Sequence, residues 1–128
     1  DPLLPINNYA WSKLGGEASV QLYKNSLILR LCMTDYPFVH KKAIKGATTS
    51  FIFNKYVSQI IPHLLDKKGI INIGGKKREI LDFANKFSDK KIMSIDFKNV
   101  NNFPKDSSVE IKKLKKALKN KILKKIIF

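Results

Sequence analysis

At 128 residues, 44% of them apolar, the chain has the size of one domain and can build a core hiding roughly two-thirds of its unfolded surface, which excludes a disordered polypeptide. The formal charge of +15 ordinarily suggests a nucleic-acid partner, but Lys outnumbers Arg 23 to 2, and Arg is the residue suited to bidentate phosphate and base recognition. Lysines spread along the chain describe solvated faces, and neither nucleic acid nor a membrane is expected as a partner. No apolar run approaches the roughly 20 residues of a bilayer span, and the single Cys32 excludes an internal disulfide framework, which fits a reducing cytoplasm. The chain starts at Asp1 and its first Met is Met33, so it reads as a piece of a longer product or as a processed chain.

The first predicted element is a helix from about Asn8 to Lys24, with Trp11, Leu14, Ala18 and Leu22 at three- and four-residue steps. Tyr9 and Lys13 are four residues apart, which puts phenol and ammonium on one helix face with Cβ atoms roughly 5–6 Å apart. A cation at that range favours the phenolate by about 3 kcal/mol at an effective dielectric of about 20, enough to suit a tyrosine to general acid–base work. Among 23 Lys and 4 Tyr such a spacing arises by chance, so the pair gains weight only from its surroundings. Gly15-Gly16 weakens an isolated helix by about 1 kcal/mol per residue and implies a closely packed face.

Those surroundings are Pro5, Asn7, Tyr9, Ala10, Ser12, Lys13, Leu14 and Glu17, which together resemble the catalytic-helix segment of the extended short-chain dehydrogenase/reductases, the superfamily of NAD-dependent epimerases and dehydratases. The resemblance implies that Tyr9 moves a proton at the oxygen of the reacting carbon, and that Lys13 holds the nicotinamide ribose and lowers the tyrosine pKa. Tyr9 and Lys13 are therefore the candidate catalytic and cofactor-binding residues; no metal site is expected. Ser26 to Cys32 follows as a nearly continuous apolar run, expected to be a strand buried on both faces of a parallel sheet. The Leu29-Arg30 pair near its end also matches the family. Cys32 to Pro37 departs from the family's aromatic and glycine-containing pattern, so no substrate contact is assigned there.

Thr48 to Phe53 alternates in the manner of a second strand, and Lys55 to Leu65 then places Val57, Ile60, Ile61, Leu64 and Leu65 on one helix side. The corner between them, Asn54-Lys55, lacks the Asp residues common in the relatives. Gly69 to Gly75 resembles the family's Asn-containing strand that closes into the sheet, and is not a phosphate loop: the lysine falls one position late and no Ser or Thr follows. Its Gly74-Gly75 reads as a structural turn. A helix is expected over Arg78 to Phe87 and a last short strand over Lys91 to Ile95. Pro104 to Ser108 resembles the Pro-x-x-Ser segment of dTDP-4-dehydrorhamnose reductase-like proteins. From Glu110 to Phe128, Ile111, Leu114, Leu118, Ile122 and Ile126 describe one basic amphipathic helix, expected to dock its apolar stripe on the domain, with an anionic membrane surface or a partner groove as the alternative.

The expected fold class is α/β, the C-terminal part of a Rossmann-type short-chain dehydrogenase with its small substrate-binding lobe. Three stretches divide it: 1–47 with catalytic helix, strand and following loop, 48–109 with the strand and helix of the substrate lobe, and 110–128 with the terminal helix. The Gly-rich dinucleotide loop is missing, so NAD(P)H is implied for the intact protein and is not expected to bind this chain alone. The implied function is reduction of a 4-keto sugar nucleotide, with an epimerase or dehydratase as the alternative. The implied partners are the sugar-nucleotide substrate and an N-terminal dinucleotide-binding half, with a homodimer left open. A non-catalytic basic protein for nucleic acid or a membrane surface is the rival from another class; it lacks an aromatic strand motif, zinc spacing or helix-turn-helix to support it.

Overall fold

The computed structural model describes residues 4–126. Helix α1 spans Asn8–Gln21 and is opened by the Asn7 side chain, which accepts from the Ala10 N–H at 2.8 Å. This is the asparagine cap expected of a residue whose short carboxamide can reach the orphan amides of the first turn. The helix ends three residues before Lys24, in turns at Leu22 and Tyr23, and none of its residues is buried. Of the predicted stripe, Leu14 is half-buried, while Trp11 is 60% and Leu22 83% exposed. The closely packed glycine face is corrected, since no heavy atom lies within 4 Å of a Cβ built on Gly15 or Gly16.

Strand β1, Leu27–Leu31, lies parallel to a later strand, as its apolar run predicts, but it is only half-buried. Strands β2, Met33–Thr34, and β3, Lys42–Lys45, follow. The predicted strand over Thr48 to Phe53 is divided. Thr48–Thr49 forms β4 and Ile52–Phe53 forms β5, and each goes to a different partner, with the buried Ser50 at the break. Ser50 Oγ accepts from Val109 N–H at 2.9 Å, and its carbonyl accepts from Gly75 N–H at 2.6 Å. The chain at this point therefore serves loops instead of a continuous ladder.

Helix α2, Asn54–Ile60, passes into a 3-10 turn at Ile61–His63, where Pro62 removes an N–H that an α-helix needs. Val57, Ile60 and Leu64 are buried as predicted, whereas Leu65 is turned out and 72% exposed. Gly69 then takes a φ of +84°, a conformation open to glycine at little cost, and starts β6, Gly69–Ile73. Arg78–Glu79 is strand β7, so helix α3 begins two residues later than predicted, at Ile80–Phe87, with Ile80, Phe83 and Ala84 buried. Strand β8 is Met93–Asp96. The tail is not one helix: α4, Lys112–Ala117, and α5, Asn120–Leu123, are separated by Leu118 and Lys119 in extended conformation. The break re-aims the chain so that Leu114, Leu118 and Ile126 all reach the core, as the docked-stripe reading requires. Phe128, at the end of the predicted helix, lies outside the described residues.

Three strand pairs are parallel, β1 with β6, β2 with β5 and β3 with β8; β4 and β7 are antiparallel. Cys32 links two of them, its N–H donating to Ile73 O and its carbonyl accepting from Ile52 N–H, both at 2.9 Å. One core gathers Ile52, Val57, Ile60, Ile71 and Ile73 under the tail residues. A second is aromatic, with Phe53 5.4 Å from Phe83 and 5.0 Å from Phe87, ring centre to ring centre, in the tilted and edge-on arrangements favoured by ring quadrupoles. Gly74 and Gly75 sit where backbones meet: a Cβ on Gly74 would stand 2.7 Å from Val109 Cγ2, and one on Gly75 would collide with Phe51 O. The Gly-Gly pair is structural, as read from the sequence, but close approach is what requires it.

Candidate active site

The face of α1 carrying Tyr9, Lys13 and Glu17 borders a groove whose other wall is β1 with Met33. Tyr9 is 71% exposed, and the Lys13 ammonium lies 5.3 Å from the centre of its ring, so the helix brings together the two side chains that the spacing pairs. Ser12 donates its hydroxyl to the Tyr9 carbonyl at 2.7 Å and adds a polar group to the same rim. The apolar part of the groove comes from Val20, Leu27, Leu29 and Leu31.

One constellation in the groove escaped sequence reasoning. Arg30 donates through Nε to Glu17 Oε2 at 3.0 Å and through Nη2 to Glu17 Oε1, a two-point ion pair between β1 and α1. The hydrogen bond from Arg30 holds the Glu17 carboxyl below the usual carboxylate range against a smaller opposing effect of burial, and Glu17 in turn raises the guanidinium pKa. Glu17 and Arg30 both stand in the quoted family pattern, but only the approach of β1 to α1 shows that they meet.

The other sequence landmarks are used structurally. At the Asn54-Lys55 corner, Asn54 Nδ2 donates to Asp35 Oδ1 at 2.7 Å and Lys55 Nζ lies 3.7 Å from the Tyr36 ring centre, which ties the loop after β2 to α2. Ser107 donates through its N–H and its hydroxyl to Thr48 O, and Asp106 accepts from Ser108 N–H. Asp106 also pairs with Lys77, whose ammonium, helped by Ser108, holds its carboxyl well below the ordinary value. Among the described residues no three His, Cys, Asp or Glu side chains gather to hold a metal, and no helix is long and apolar enough to cross a membrane.

A nicotinamide cofactor fits this groove in part. Lys13 brings three donors and no acceptor, which suits ribose hydroxyls, and Tyr9 brings a hydroxyl able to give or take a proton. For the pyrophosphate, the starts of α1 and α3 offer little: the first-turn amide at Ala10 is already taken by Asn7, and the N-cap of α3 is the acidic Glu79.

No protein-family model and no curated protein matches the chain. Solved structures do. A hypothetical dTDP-4-dehydrorhamnose reductase from Sulfolobus tokodaii superposes with a TM-score of 0.75 at 24% identity, over 92% of this chain and 50% of that one. A dTDP-4-dehydrorhamnose reductase from Yersinia enterocolitica gives 0.69 at 21% identity, over 88% of this chain and 50% of its own. A UDP-glucuronic acid 4-epimerase from Bacillus cereus, in complex with NAD, gives 0.62 at 20% identity, over 90% and 45%. The chain spans about half the length of the solved structures it matches. The expectation drawn from the Pro5 to Glu17 segment and the later landmarks thus holds at the level of architecture: this chain has the α/β fold of about half of a Rossmann-type reductase or epimerase.

Proposed function

We propose that this chain supplies the Tyr–Lys pair and the substrate-side lobe of an NAD(P)-dependent enzyme that reduces a 4-keto sugar nucleotide. The observation that carries the reading is the Tyr9–Lys13 pair, presented side by side on the rim of an open groove, in a fold shared with two dTDP-4-dehydrorhamnose reductases. Tyr9 gives its phenolic proton to the carbonyl oxygen as that carbon is reduced. Lys13, one helical turn on, stabilises the resulting phenolate and donates to ribose hydroxyls. The bound cofactor supplies the hydride. Its pyrophosphate is held by a dinucleotide-binding half outside residues 1–128, which accounts for the half-length match and for the absence of a Gly-rich loop from the sequence.

Epimerisation at the same carbon is the second reading, favoured by the likeness to a 4-epimerase that contains NAD. The two differ in redox balance: a reductase consumes one reduced cofactor per turnover and an epimerase consumes none. The test is turnover of 4-keto and 4-hydroxy sugar nucleotides by the complete protein, followed by nicotinamide absorbance and product stereochemistry. Tyr9→Phe keeps the ring and removes the proton donor, so kcat should fall by about 10²–10⁴-fold in a folded, cofactor-bound protein. Near-wild-type turnover by that variant would sink the assignment.

A further inference from the structure

Helix α1 is 14 residues long and buries none of them fully; Ala10, Leu14 and Glu17 are its half-buried positions, so only a thin apolar contact favours one of its faces over the others. Side-chain bonds add to that contact. Near its start Asn7 Nδ2 donates to Asn102 O at 3.4 Å, a long and weak contact. Two turns beyond Tyr9, Glu17 meets Arg30 at two points. We infer that the Glu17–Arg30 pair is the positioning device of the site: it sets the rotation of α1 over β1 and thereby the placement of Tyr9 and Lys13. The catalytic part of this inference rests on the function proposed above; the placement of the helix does not.

The geometry supports the inference in three ways. At 3.6 residues per turn, Tyr9, Lys13 and Glu17 drift by only about 40° at each step, so fixing the last of them fixes the face that carries the other two. Arg30 is a firm anchor, because its strand is laddered to β6 with Arg30 opposite Asn72. A guanidinium fork engaging both carboxylate oxygens also resists rotation in a way that a single ammonium contact does not. Finally, Glu17 lies four residues after Lys13, the spacing at which Lys and Glu pair along a helix. With both Glu17 oxygens engaged by Arg30, the Lys13 ammonium is left beside Tyr9, at 5.3 Å from its ring centre.

The test uses Glu17→Gln, Arg30→Lys and the reversed pair carrying Glu17→Arg with Arg30→Glu, read by amide hydrogen exchange of the chain without ligand. Both single variants should exchange on the order of tenfold faster across Asn8–Gln21, the size expected for losing a charge-assisted bond that is partly screened by solvent. Exchange at Ile71–Ile73 and at Phe83–Ala84 should stay at the wild-type rate, and the reversed pair should recover most of the protection of α1. In the complete enzyme the single variants should lower kcat on the order of tenfold while KM holds, and the reversed pair should restore kcat. Unchanged α1 exchange in the single variants, or no recovery in the reversed pair, overturns the inference. So does full kcat in a variant whose α1 has come loose. The exchange measurement needs neither cofactor nor substrate, so it decides the role of the pair even where Tyr9→Phe has refuted the proposed chemistry.

Discussion

At the scale of single residues, two glycines carry opposite consequences. Gly16 lies in a solvent-facing helix with open space at its Cβ position, so Gly16→Ala should raise the helicity of this chain and stabilise it by up to about 1 kcal/mol. Gly75→Ala drives a methyl into Phe51 O at a point where the Gly75 N–H is already bonded to Ser50 O, and should cost about 1–3 kcal/mol. Thermal melts of the two variants check both signs. Acid should also act through named carboxylates. Glu17 and Asp106 have depressed pKa values in the folded state, by virtue of Arg30 and Lys77 respectively, so the unfolded chain takes up their protons first. Their stabilisation is complete above the unfolded values of about 4.3 and 3.9 and is lost as pH falls through them towards the folded values. The melting temperature should therefore drop below about pH 4.5, and less steeply in a Glu17→Gln, Asp106→Asn variant; equal slopes would show that neither pairing contributes. The Tyr9–Lys13 neighbourhood was legible in the sequence because a four-residue helical spacing is a local fact. The Glu17–Arg30 contact was not, because it depends on how a helix and a strand come to lie against each other and bring together residues 13 apart in the chain.

At the scale of elements, legibility followed the same division. The parallel character of β1 was readable from its short apolar run and the strand at β6 from the resemblance of Gly69 to Gly75, though not that the two pair with each other, and the docked tail was readable from its apolar stripe. What periodicity could not show was the division of Thr48 to Phe53, where two loops claim the Ser50 backbone and hydroxyl. It also could not show that α1 would bury nothing fully, since a stripe of Trp11, Leu14 and Leu22 reads the same whether or not its counterpart is present. That counterpart matters for behaviour in solution. Among the described residues β1 has β6 as its only strand partner; Leu31 on the strand itself and Tyr9, Val20 and Met33 along its groove are exposed. An unpaired edge next to apolar side chains recruits other chains. Size-exclusion chromatography of residues 1–128 should show concentration-dependent association, relieved when the proposed dinucleotide-binding half is supplied. A monodisperse monomer at high concentration would argue that this face is adapted to water.

At the scale of the whole molecule, the two cores depend on segments remote from each other in the chain. Leu114, Leu118 and Ile126 close the core built by Ile52, Val57, Ile71 and Ile73. Removing the chain beyond Val109 deletes three buried aliphatic side chains, each worth about 2–5 kcal/mol, from a domain whose total stability is on the order of 5–15 kcal/mol. The truncated chain should lose its cooperative melting transition, and a retained one would place the main stability in the aromatic core around Phe53 and Phe83. The parallel ladders have one more consequence, for the speed of folding. Leu27 finds its strand partner at Gly69 and Lys42 finds its own at Met93, so no ladder of either pair can form until a long stretch of chain has been gathered. Loop closure comes first and hydrogen bonds reward it only afterwards, which places folding in the slower range, nearer milliseconds to seconds than microseconds. On a ribosome the wait is longer still: β1 emerges well before β6, and the tail that covers their core is the last part of these residues to be made.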